Sequence, residues 1–242
     1  MTAILINDHY KAIQTTYGMM IVNRHEYGLP WLLEEEGEWV PVEINFLMQF
    51  AKGNVLDIGA NIGTHSLAFA RTAAHVWSFE PQQLTHYTLC ANLLLNNIFN
   101  VTPLQLALGN SEGLIPMWVP DPTARNASAG ISVGEGQSMV AMKKLDSLGL
   151  PPIYFIKIDV EGYEYEVLRG AEATLKGVSF VYIEIHKEEL IEPIVKFMSG
   201  LAFEGIPSVK TRIVVPLDED LAGKHLFDVY GYLFVGKHVV FV

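Results

Sequence analysis

Residues 55–63 read VLDIGANIG, an apolar run that ends in an acid and continues into small residues. The run VLDIG predicts a short buried strand. Gly59 and Gly63 behind it allow the backbone to turn tightly and to approach a ligand closely. The next segment, SLAFARTAA, predicts a helix, and the first N–H groups of a helix are free to bind a ligand. Residues 55–74 therefore predict a strand–loop–helix unit with a ligand site at the loop.

Strand-like and helix-like segments alternate after this unit. Strands are predicted at HVWSFEP, VTPLQLALG, IYFIKIDV and VSFVYIEIH, and RIVVPL and YGYLFVG can close the sheet. Helices are predicted at residues 84–98, at YEYEVLRGAEATL and at residues 187–201. Short apolar runs that alternate with helices are typical of a parallel sheet with helices on both faces. We therefore predict an α/β Rossmann-like fold with a seven-stranded, mostly parallel sheet.

Two regions depart from this alternation. Residues 1–50 carry a strand at 17–22 and lead into a helix at 41–51, so we predict an N-terminal extension that covers one side of a domain spanning 51–242. Residues 110–148 are rich in Gly, Pro, Asn and Ser. A long insert beside a binding edge is typical of a lid or substrate loop.

The second predicted strand ends in Phe79-Glu80-Pro81, about twenty residues after the first. A carboxylate at that point can accept both hydroxyls of a ribose, as in nucleoside binding by this class of fold. Gln105-Leu106-Ala107, at the end of the third strand, lies where an adenine would rest. A glycine loop and an acid at these two positions together predict a nucleoside site.

The nucleoside is expected to carry no phosphate. The loop does not match the G-x-G-x-x-G dinucleotide fingerprint, and a P-loop is also absent. Asp57 at the strand end would repel a pyrophosphate, whereas S-adenosylmethionine carries a sulfonium and an ammonium that an acid favours. The alternative interpretation is that Asp57 and Asn61 only cap the turn.

Seven segments between Val55 and His186 resemble the FkbM-type methyltransferases in order and spacing. They are VLDIGANIGTHSLAFA, SFEP, the helix with Asn92 and Asn96, ALGN, KKLDSL, IKIDVEGYEYEVLRGA and IEIH. The resemblance implies a class I methyltransferase fold, S-adenosylmethionine as donor, and usually O-methylation of a hydroxyl, often on a sugar or polyketide. It covers neither the first fifty nor the last forty residues, where part of the acceptor specificity is expected.

The residues expected to bind the cofactor follow from these motifs. They are Asp57, Gly59, Ala60, Asn61, Gly63, Thr64, His65, Glu80, Pro81, Leu106, Ala107 and Asp159.

Polar residues alternate along the fourth and fifth strands, where a buried strand should be apolar. Lys157 and Asp159 share one face, as do Tyr182, Glu184 and His186. These five converge if the two strands are neighbours. Since a buried charge is costly unless it is paired, an ion pair of Lys157 with Glu184 or Asp159 is one interpretation.

The reacting end of the site is expected among the residues at these strand ends. Methyl transfer to a hydroxyl needs a base or a metal that lowers the pKa of the hydroxyl. His186 is the first candidate base because its ordinary pKa lies near neutrality, and Asp159 or Glu161 is the next. Asp159, Glu184 and His186 also form a set that can hold Mg²⁺, by analogy with other O-methyltransferases.

The net charge and the composition restrict the classes of partner that the protein is expected to bind. The formal net charge of −11, with only 16 Lys and Arg, disfavours a nucleic acid and suits a small-molecule or saccharide acceptor. A single cysteine, Cys90, excludes an intramolecular disulfide. The sequence shows neither a signal peptide nor an apolar run of membrane-spanning length, so we expect no membrane partner and a cytoplasmic location.

Other functions remain open at this stage. An N-methyltransferase acting on an amine or protein ranks lower, because Asp159-Val160-Glu161-Gly162 stands where amino-group methylases carry an Asn/Asp-Pro-Pro-Tyr motif. The loop spacing disfavours an NAD-linked oxidoreductase. A non-catalytic S-adenosylmethionine-binding protein is a further alternative. Trp31 and Leu32 can pack on the domain or on a second subunit, which leaves a homo-oligomer open.

Overall fold

A computed structural model describes residues 3–26, 28–119, 136, 138–216 and 224–236. The N-terminal region forms three short strands and two helices. These are β1 (Ile4–Leu5), β2 (Tyr10–Thr15), β3 (Gly18–Asn23), α1 (Leu29–Glu35) and α2 (Pro41–Leu47). The strands form an antiparallel sheet in the order β1-β2-β3. Pro30 and Pro41 stand in the first turns of their helices, where the N–H that proline lacks has no partner within the helix.

The remaining residues alternate between strands and helices, as predicted. The elements are β4 (Asn54–Ile58), α3 (Thr64–Phe69), β5 (His75–Phe79), α4 (Gln83–Leu95), β6 (Val101–Leu104), β7 (Ala107–Leu108), β8 (Gly113–Met117), β9 (Ser138–Lys143), β10 (Phe155–Ile158), α5 (Glu164–Arg169), α6 (Glu172–Leu175), β11 (Phe180–Ile185), α7 (Ile191–Gly200), β12 (Phe203–Pro216) and β13 (Lys224–Gly236). None of the helices in the described ranges is long and apolar enough to cross a membrane.

Seven strands form the central sheet, in the order β12-β13-β11-β10-β4-β5-β6. Strands β11, β10, β4, β5 and β6 are parallel, and β13 is antiparallel to both of its neighbours. The predicted seven-stranded, mostly parallel sheet is therefore confirmed. The chain passes from β4 outward to β6 and then returns to β10 beside β4. Ligands bind at such a switch in strand order, outside the carboxyl ends of the strands.

Each face of the central sheet covers its own hydrophobic core. Leu56 of β4 and Ile156 of β10 face a core shared with α5, α6 and α7. Val55 and Phe155 face the opposite core, which also takes in residues of the N-terminal region such as Met20, Leu33 and Ile44. The N-terminal region thus packs on one face of the sheet.

Two predicted elements end earlier than expected. The third strand stops at Leu104, and Ala107–Leu108 instead pairs with β9 in a separate sheet of order β7-β9-β8. Pro103 lies in β6, the edge strand of the central sheet, where a missing N–H is tolerated. The helix predicted over residues 163–175 divides at Gly170, whose Cα approaches the Gly109 carbonyl so closely that a Cβ would lie 1.9 Å from its oxygen.

The insert predicted at residues 110–148 contains β8 and β9, which pair antiparallel beside the carboxyl edge of the central sheet. Residues 120–135 and 137, which form the middle of the predicted lid, lie outside the described residues.

Candidate active site

A cleft opens at the carboxyl edge of the sheet, at the switch between β4 and β10. It encloses about 670 Å³, counting the open space at its mouth. The residues that line it are Ile58, Gly59, Asn61, Phe79, Glu80, Pro81, Thr85, Leu106, Ala107, Leu108, Met117, Asp159, Val160, Glu161 and Tyr163. Eight of the residues named from the sequence are among them: Gly59, Asn61, Glu80, Pro81, Leu106, Ala107, Asp159 and Glu161.

The loop after β4 is shaped by a close approach of two backbones. Gly59 has φ +81°, and a Cβ there would lie 1.7 Å from the Asp159 carbonyl oxygen, so only glycine fits. Asn61 also takes a left-handed conformation, with φ +51°. Asn tolerates that conformation better than most residues do, because its short side chain bonds the local backbone. Its Oδ1 accepts a hydrogen bond from the Ile62 N–H at 2.7 Å.

Glu80 is held at the end of β5 by the backbone. Its Oε2 accepts a hydrogen bond from the Asn61 N–H at 3.0 Å, and its Oε1 accepts one from the Gln82 N–H at 2.8 Å. Burial raises the pKa of Glu80 to about 7, against the lowering effect of these two N–H groups. Each carboxylate oxygen can accept a further hydrogen bond, and the side chain lines the cleft.

A row of polar side chains crosses the sheet behind the cleft. In the strand register, Lys157 of β10 stands opposite Asp57 of β4 on one side and Tyr182 of β11 on the other. All three are at most 1% exposed. Side chains opposite one another in neighbouring strands lie on the same face of a sheet, so this row faces the N-terminal region.

Lys157 lies close to two acids, one directly after its own strand and one on the neighbouring strand β4. Its Nζ lies 3.2 Å from Asp159 Oδ2 and 3.6 Å from Asp57 Oδ1, and it donates a 3.4 Å hydrogen bond to the Gly59 carbonyl. Burial opposes the ammonium charge, but Asp159 and Asp57 raise the pKa of Lys157 above its usual value. The expected ion pair with Asp159 is present, and Asp57 is a second partner that was not predicted.

Asp159, His186 and Glu161 meet at the edge of the cleft. His186 Nε2 lies 2.8 Å from Asp159 Oδ1, and His186 Nδ1 lies 3.5 Å from Glu161 Oε2. Burial alone would lower the pKa of His186, but the hydrogen bond and charge of Asp159, with the charge of Glu161, raise it to about 9. Burial opposes the charge of Asp159 too, yet Lys157 and His186 hold its pKa below the usual range. At neutral pH the ring is therefore an imidazolium between two acids, not the free base expected from its ordinary pKa.

The turn that carries Glu161 is strained. Glu161 has φ +54°, a conformation that costs a non-glycine residue roughly 1–2 kcal/mol. Glu164 supports the turn, since its Oε1 accepts a hydrogen bond from the Gly162 N–H at 2.7 Å. Partial burial, with the charges of Asp159 and Glu164, raises the pKa of Glu161, while the charge of His186 opposes the shift. A strained, half-exposed acid that lines a cleft is a candidate functional group.

A second polar cluster joins the site to the N-terminal region. Glu43 of α2 accepts a 2.8 Å hydrogen bond from the Tyr182 hydroxyl and lies 3.2 Å from His65 Nε2. One side-chain oxygen of Glu43, one of Glu184 and one ring nitrogen of His65 lie within 4.8 Å of one another. Burial, followed by the charges of Asp159 and Glu43, raises the pKa of Glu184 well above its usual value, while the charge of Lys157 lowers it.

The residues suggested for Mg²⁺ fit a divalent cation poorly. Atoms of Asp159, Glu184 and His186 do lie within 4.8 Å of one another. However, one oxygen of Asp159 faces the Lys157 ammonium and the other faces the His186 ring. A divalent cation would stand beside two positive groups, and the raised pKa of Glu184 disfavours the ionised form of this third ligand. We therefore derive no chemistry through a metal at this position.

The other residues named for the cofactor lie behind the cleft lining. They are Asp57, Ala60, Gly63, Thr64 and His65, all buried. Asp57 Oδ2 accepts a 2.6 Å hydrogen bond from Ser66, and Ser66 bonds Ser78 in turn. Asp57 therefore anchors the base of the loop and pairs with Lys157.

Several residues of the site were missed. Thr85, Tyr163 and Met117 line the cleft, and Glu43 binds the polar row from the far side. One signal for Glu43 was present in the sequence, because Glu43 lies four residues before the apolar Leu47 and so shares its helical face.

Comparison with known proteins places this arrangement in a family. The methyltransferase FkbM domain matches residues 57–204. The chain belongs to the FkbM methyltransferase family. The match begins within β4 and ends within β12, so it includes the cleft and the Asp159–His186–Glu161 group. The resemblance expected from the sequence motifs is confirmed.

One curated relative of this FkbM-family chain is the hexuronic acid methyltransferase AglP of Haloferax volcanii, 37% identical over 134 residues. The alignment covers 54% of this chain and 54% of that relative. The chain thus matches about half the length of that protein.

Solved structures share the class I methyltransferase fold. The methyltransferase FkbM of Methylobacillus flagellatus superimposes with a TM-score of 0.52 and 17% identity, over 76% of this chain and 44% of the other. SMU.1697c of Streptococcus mutans, solved in complex with SAH, gives a TM-score of 0.51 and 12% identity, over 81% of this chain and 96% of the other. At these identities each likeness shows the fold alone.

Proposed function

We propose that this chain transfers a methyl group from S-adenosylmethionine to a hydroxyl group of a small polyhydroxylated acceptor, such as a saccharide. The observation that carries the proposal is the cleft at the strand switch, where Glu80 lies at the end of one strand and Asp159 and Glu161 follow another. The first acid suits a ribose, and the other two lie where the reacting groups would meet.

The cleft fits this cofactor in shape and charge. Glu80 is placed to accept hydrogen bonds from ribose hydroxyls, and Leu106 with Ala107 offers an apolar surface for adenine. The lining contains three acids, Glu80, Asp159 and Glu161, and no Lys or Arg among the described residues. Acids favour the ammonium and sulfonium of S-adenosylmethionine and disfavour the phosphates of a dinucleotide.

The chain's own part in the reaction is to orient the acceptor and remove its proton. Bound S-adenosylmethionine supplies an electrophilic methyl group. Because His186 already holds a proton at neutral pH, we assign the acceptor proton to the Glu161 carboxylate, whose raised pKa makes it a stronger base than an ordinary glutamate. Before the transfer, the His186 imidazolium orients the Glu161 carboxylate, and Asp159 holds the ring in place.

The acceptor class is supported by the family. A hexuronic acid methyltransferase is among the relatives, which favours a saccharide hydroxyl over an amine. The acidic surroundings of His186 also suit a neutral polyol. Methyl transfer to an amine is the alternative, and the acceptor panel described below distinguishes it from transfer to a hydroxyl.

Calorimetric titration with S-adenosylmethionine, S-adenosylhomocysteine and NAD tests the cofactor. We expect binding of the first two and not of NAD, with affinity reduced at least about tenfold in Glu80→Gln, because buried hydrogen bonds to a charged group contribute about 1.5–3 kcal/mol. Glu172→Gln is the matched control, since Glu172 is exposed on α6 outside the cleft. Binding of NAD alone, or equal affinity in both variants, would contradict the proposal.

Transfer of labelled methyl to a panel of neutral sugars, uronic acids, other hydroxyl compounds and amines tests the acceptor. Product from the hydroxyl arms supports O-methylation. Product from amines alone would overturn it, and tight cofactor binding without any product would indicate a non-catalytic binding protein.

A further inference from the structure

The free edge of β3 is completed by side chains rather than by another strand. Ile21 donates its N–H to Asn92 Oδ1 at 2.7 Å and accepts from Asn92 Nδ2 at 3.2 Å. Met19 exchanges the same pair of bonds with Asn96, at 3.0 and 2.8 Å. Two asparagines of α4 therefore act on β3 as the backbone of a neighbouring strand would.

The spacing of helix and strand makes this match possible. Four residues of an α-helix rise about 6.0 Å, and two residues of a strand extend about 6.7 Å. An amide side chain offers one acceptor and two N–H donors, the groups that a strand edge requires. The close contact also needs Gly18, which has φ +126° and where a Cβ would lie 1.9 Å from Asn96 Oδ1.

Asn92 makes one bond that Asn96 does not. Its Nδ2 also donates to the Ile62 carbonyl at 2.9 Å, whereas the second bond of the Asn96 amide goes to the Asn92 carbonyl within α4. Ile62 lies between Asn61 and Gly63, in the loop whose Asn61 N–H binds Glu80. Asn92 is fully buried, so both hydrogens of its amide are used inside the protein.

We propose that Asn92 is a positioning residue for the nucleoside part of the cofactor and couples the N-terminal sheet to the cofactor loop. This inference rests on the proposed function. Asn61 and Gly63 both have positive φ, a conformation that most residues do not adopt by themselves. The loop therefore depends on contacts from outside it to keep this conformation. The bond from Asn92 fixes the peptide between them and thereby holds the Asn61 N–H on Glu80.

The coupling runs in both directions because one amide serves both partners. The carboxamide is held by the Ile21 backbone and by the Ile62 carbonyl, so displacement of β3 would shift the donor that fixes the loop. A ligand that presses on the N-terminal sheet would therefore change the geometry around Glu80. The N-terminal sheet thus influences the cofactor site indirectly, through Asn92 and the loop.

Asn92→Ala and Asn96→Ala form a matched pair for the test. Each removes two bonds to the β3 edge, and only the first also removes the bond to the loop. We expect the dissociation constant of S-adenosylhomocysteine, measured by calorimetry, to rise about tenfold in Asn92→Ala, as for loss of about 1.4 kcal/mol, and to change less than about twofold in Asn96→Ala.

Hydrogen exchange of the loop gives a second readout. Amides of residues 59–63 should lose protection in Asn92→Ala. They should keep it in Asn96→Ala, because β3 then loosens at Met19 while Asn92 still holds Ile21. If Asn92→Ala does not fold, Asn92→Ser replaces it in both measurements. Equal affinities and equal loop protection in the two variants would overturn the inference. Failure of the unmodified protein to bind S-adenosylhomocysteine would instead overturn the proposed function, and loop protection would then decide the structural coupling alone.

Discussion

Lys157 Nζ lies 3.2 Å from Asp159 Oδ2, two residues along the chain, at the carboxyl end of β10. The same ammonium lies 3.6 Å from Asp57 and bonds the Gly59 carbonyl. One buried cation therefore lies between an acid of the cleft and an acid beneath the loop. We expect Lys157→Met to lower the free energy of unfolding by about 3–5 kcal/mol, because it leaves buried carboxylates unpaired. Urea denaturation measures the change.

The double variant Asp57→Asn, Lys157→Met is the control for this prediction. It removes one of the two acids together with the cation, so it should be more stable than Lys157→Met alone. If the free energy of unfolding of Lys157→Met lies within about 1 kcal/mol of that of the unmodified protein, the ion pairs do not stabilise the fold in this way.

Stability should fall with pH above neutrality because of His186. Folding raises the pKa of this ring from 6.5 to about 9. A raised folded-state pKa means that the stabilising contribution is complete below about pH 6.5 and is lost as the pH rises through about 9. The stability difference between the unmodified protein and His186→Asn should therefore shrink over that window. A difference that stays constant or grows with pH over this window would show that the pKa of the ring is not raised in the fold.

Cofactor affinity should depend on the charge of Glu80. Its pKa of about 7 means that the carboxylate, the better acceptor for ribose hydroxyls, is lost as the pH falls below 7. If only the ionised form binds, the affinity for S-adenosylhomocysteine should be about tenfold weaker at about pH 6 than at about pH 8. Calorimetry at both pH values measures this, and Glu80→Gln should show no comparable dependence. An equal slope in the variant would assign the effect to another group.

Glu161 should show a conflict between stability and activity. Its φ of +54° is strained for any residue with a Cβ, so Glu161→Gly should be more stable than Glu161→Ala by about 1 kcal/mol. Both variants should lose about 10²–10⁴-fold in methyl transfer, as expected for loss of a general base. Thermal unfolding and the labelled-methyl assay measure the two effects. Full activity in either variant would remove Glu161 from the mechanism.

Much of the fold could be predicted because its signals are local. The run VLDIGANIG and the later apolar strands follow directly from residue patterns, and the seven-stranded sheet agrees with them. The early end of the third strand could not be predicted, since Ala107–Leu108 pairs with β9, more than thirty residues later in the chain. The residue pattern of this segment does not reveal which strand each part of it will pair with.

Several residues that line the cleft could be predicted, because a polar residue type stands at the end of a predicted strand. Glu80 and Asp159 line the cleft because each follows the carboxyl end of a parallel strand, β5 and β10 respectively. The charge of His186 could not be predicted, because it depends on Asp159 and Glu161 approaching both ring nitrogens. Asp57 has the residue type of a ligand, yet it is fully buried and binds Ser66 and Lys157, contacts that only the sheet register reveals.

The hydrogen bond between Glu43 and Tyr182 has a consequence for recombining members of the family. The family match begins at residue 57, but the Tyr182 hydroxyl finds its partner fourteen residues before that point. Exchange of N-terminal segments between relatives would split this donor from its acceptor. A chimaera made at the family boundary would place a foreign side chain over the polar row of the sheet. Positions 43 and 182 should therefore be inherited together in any such design.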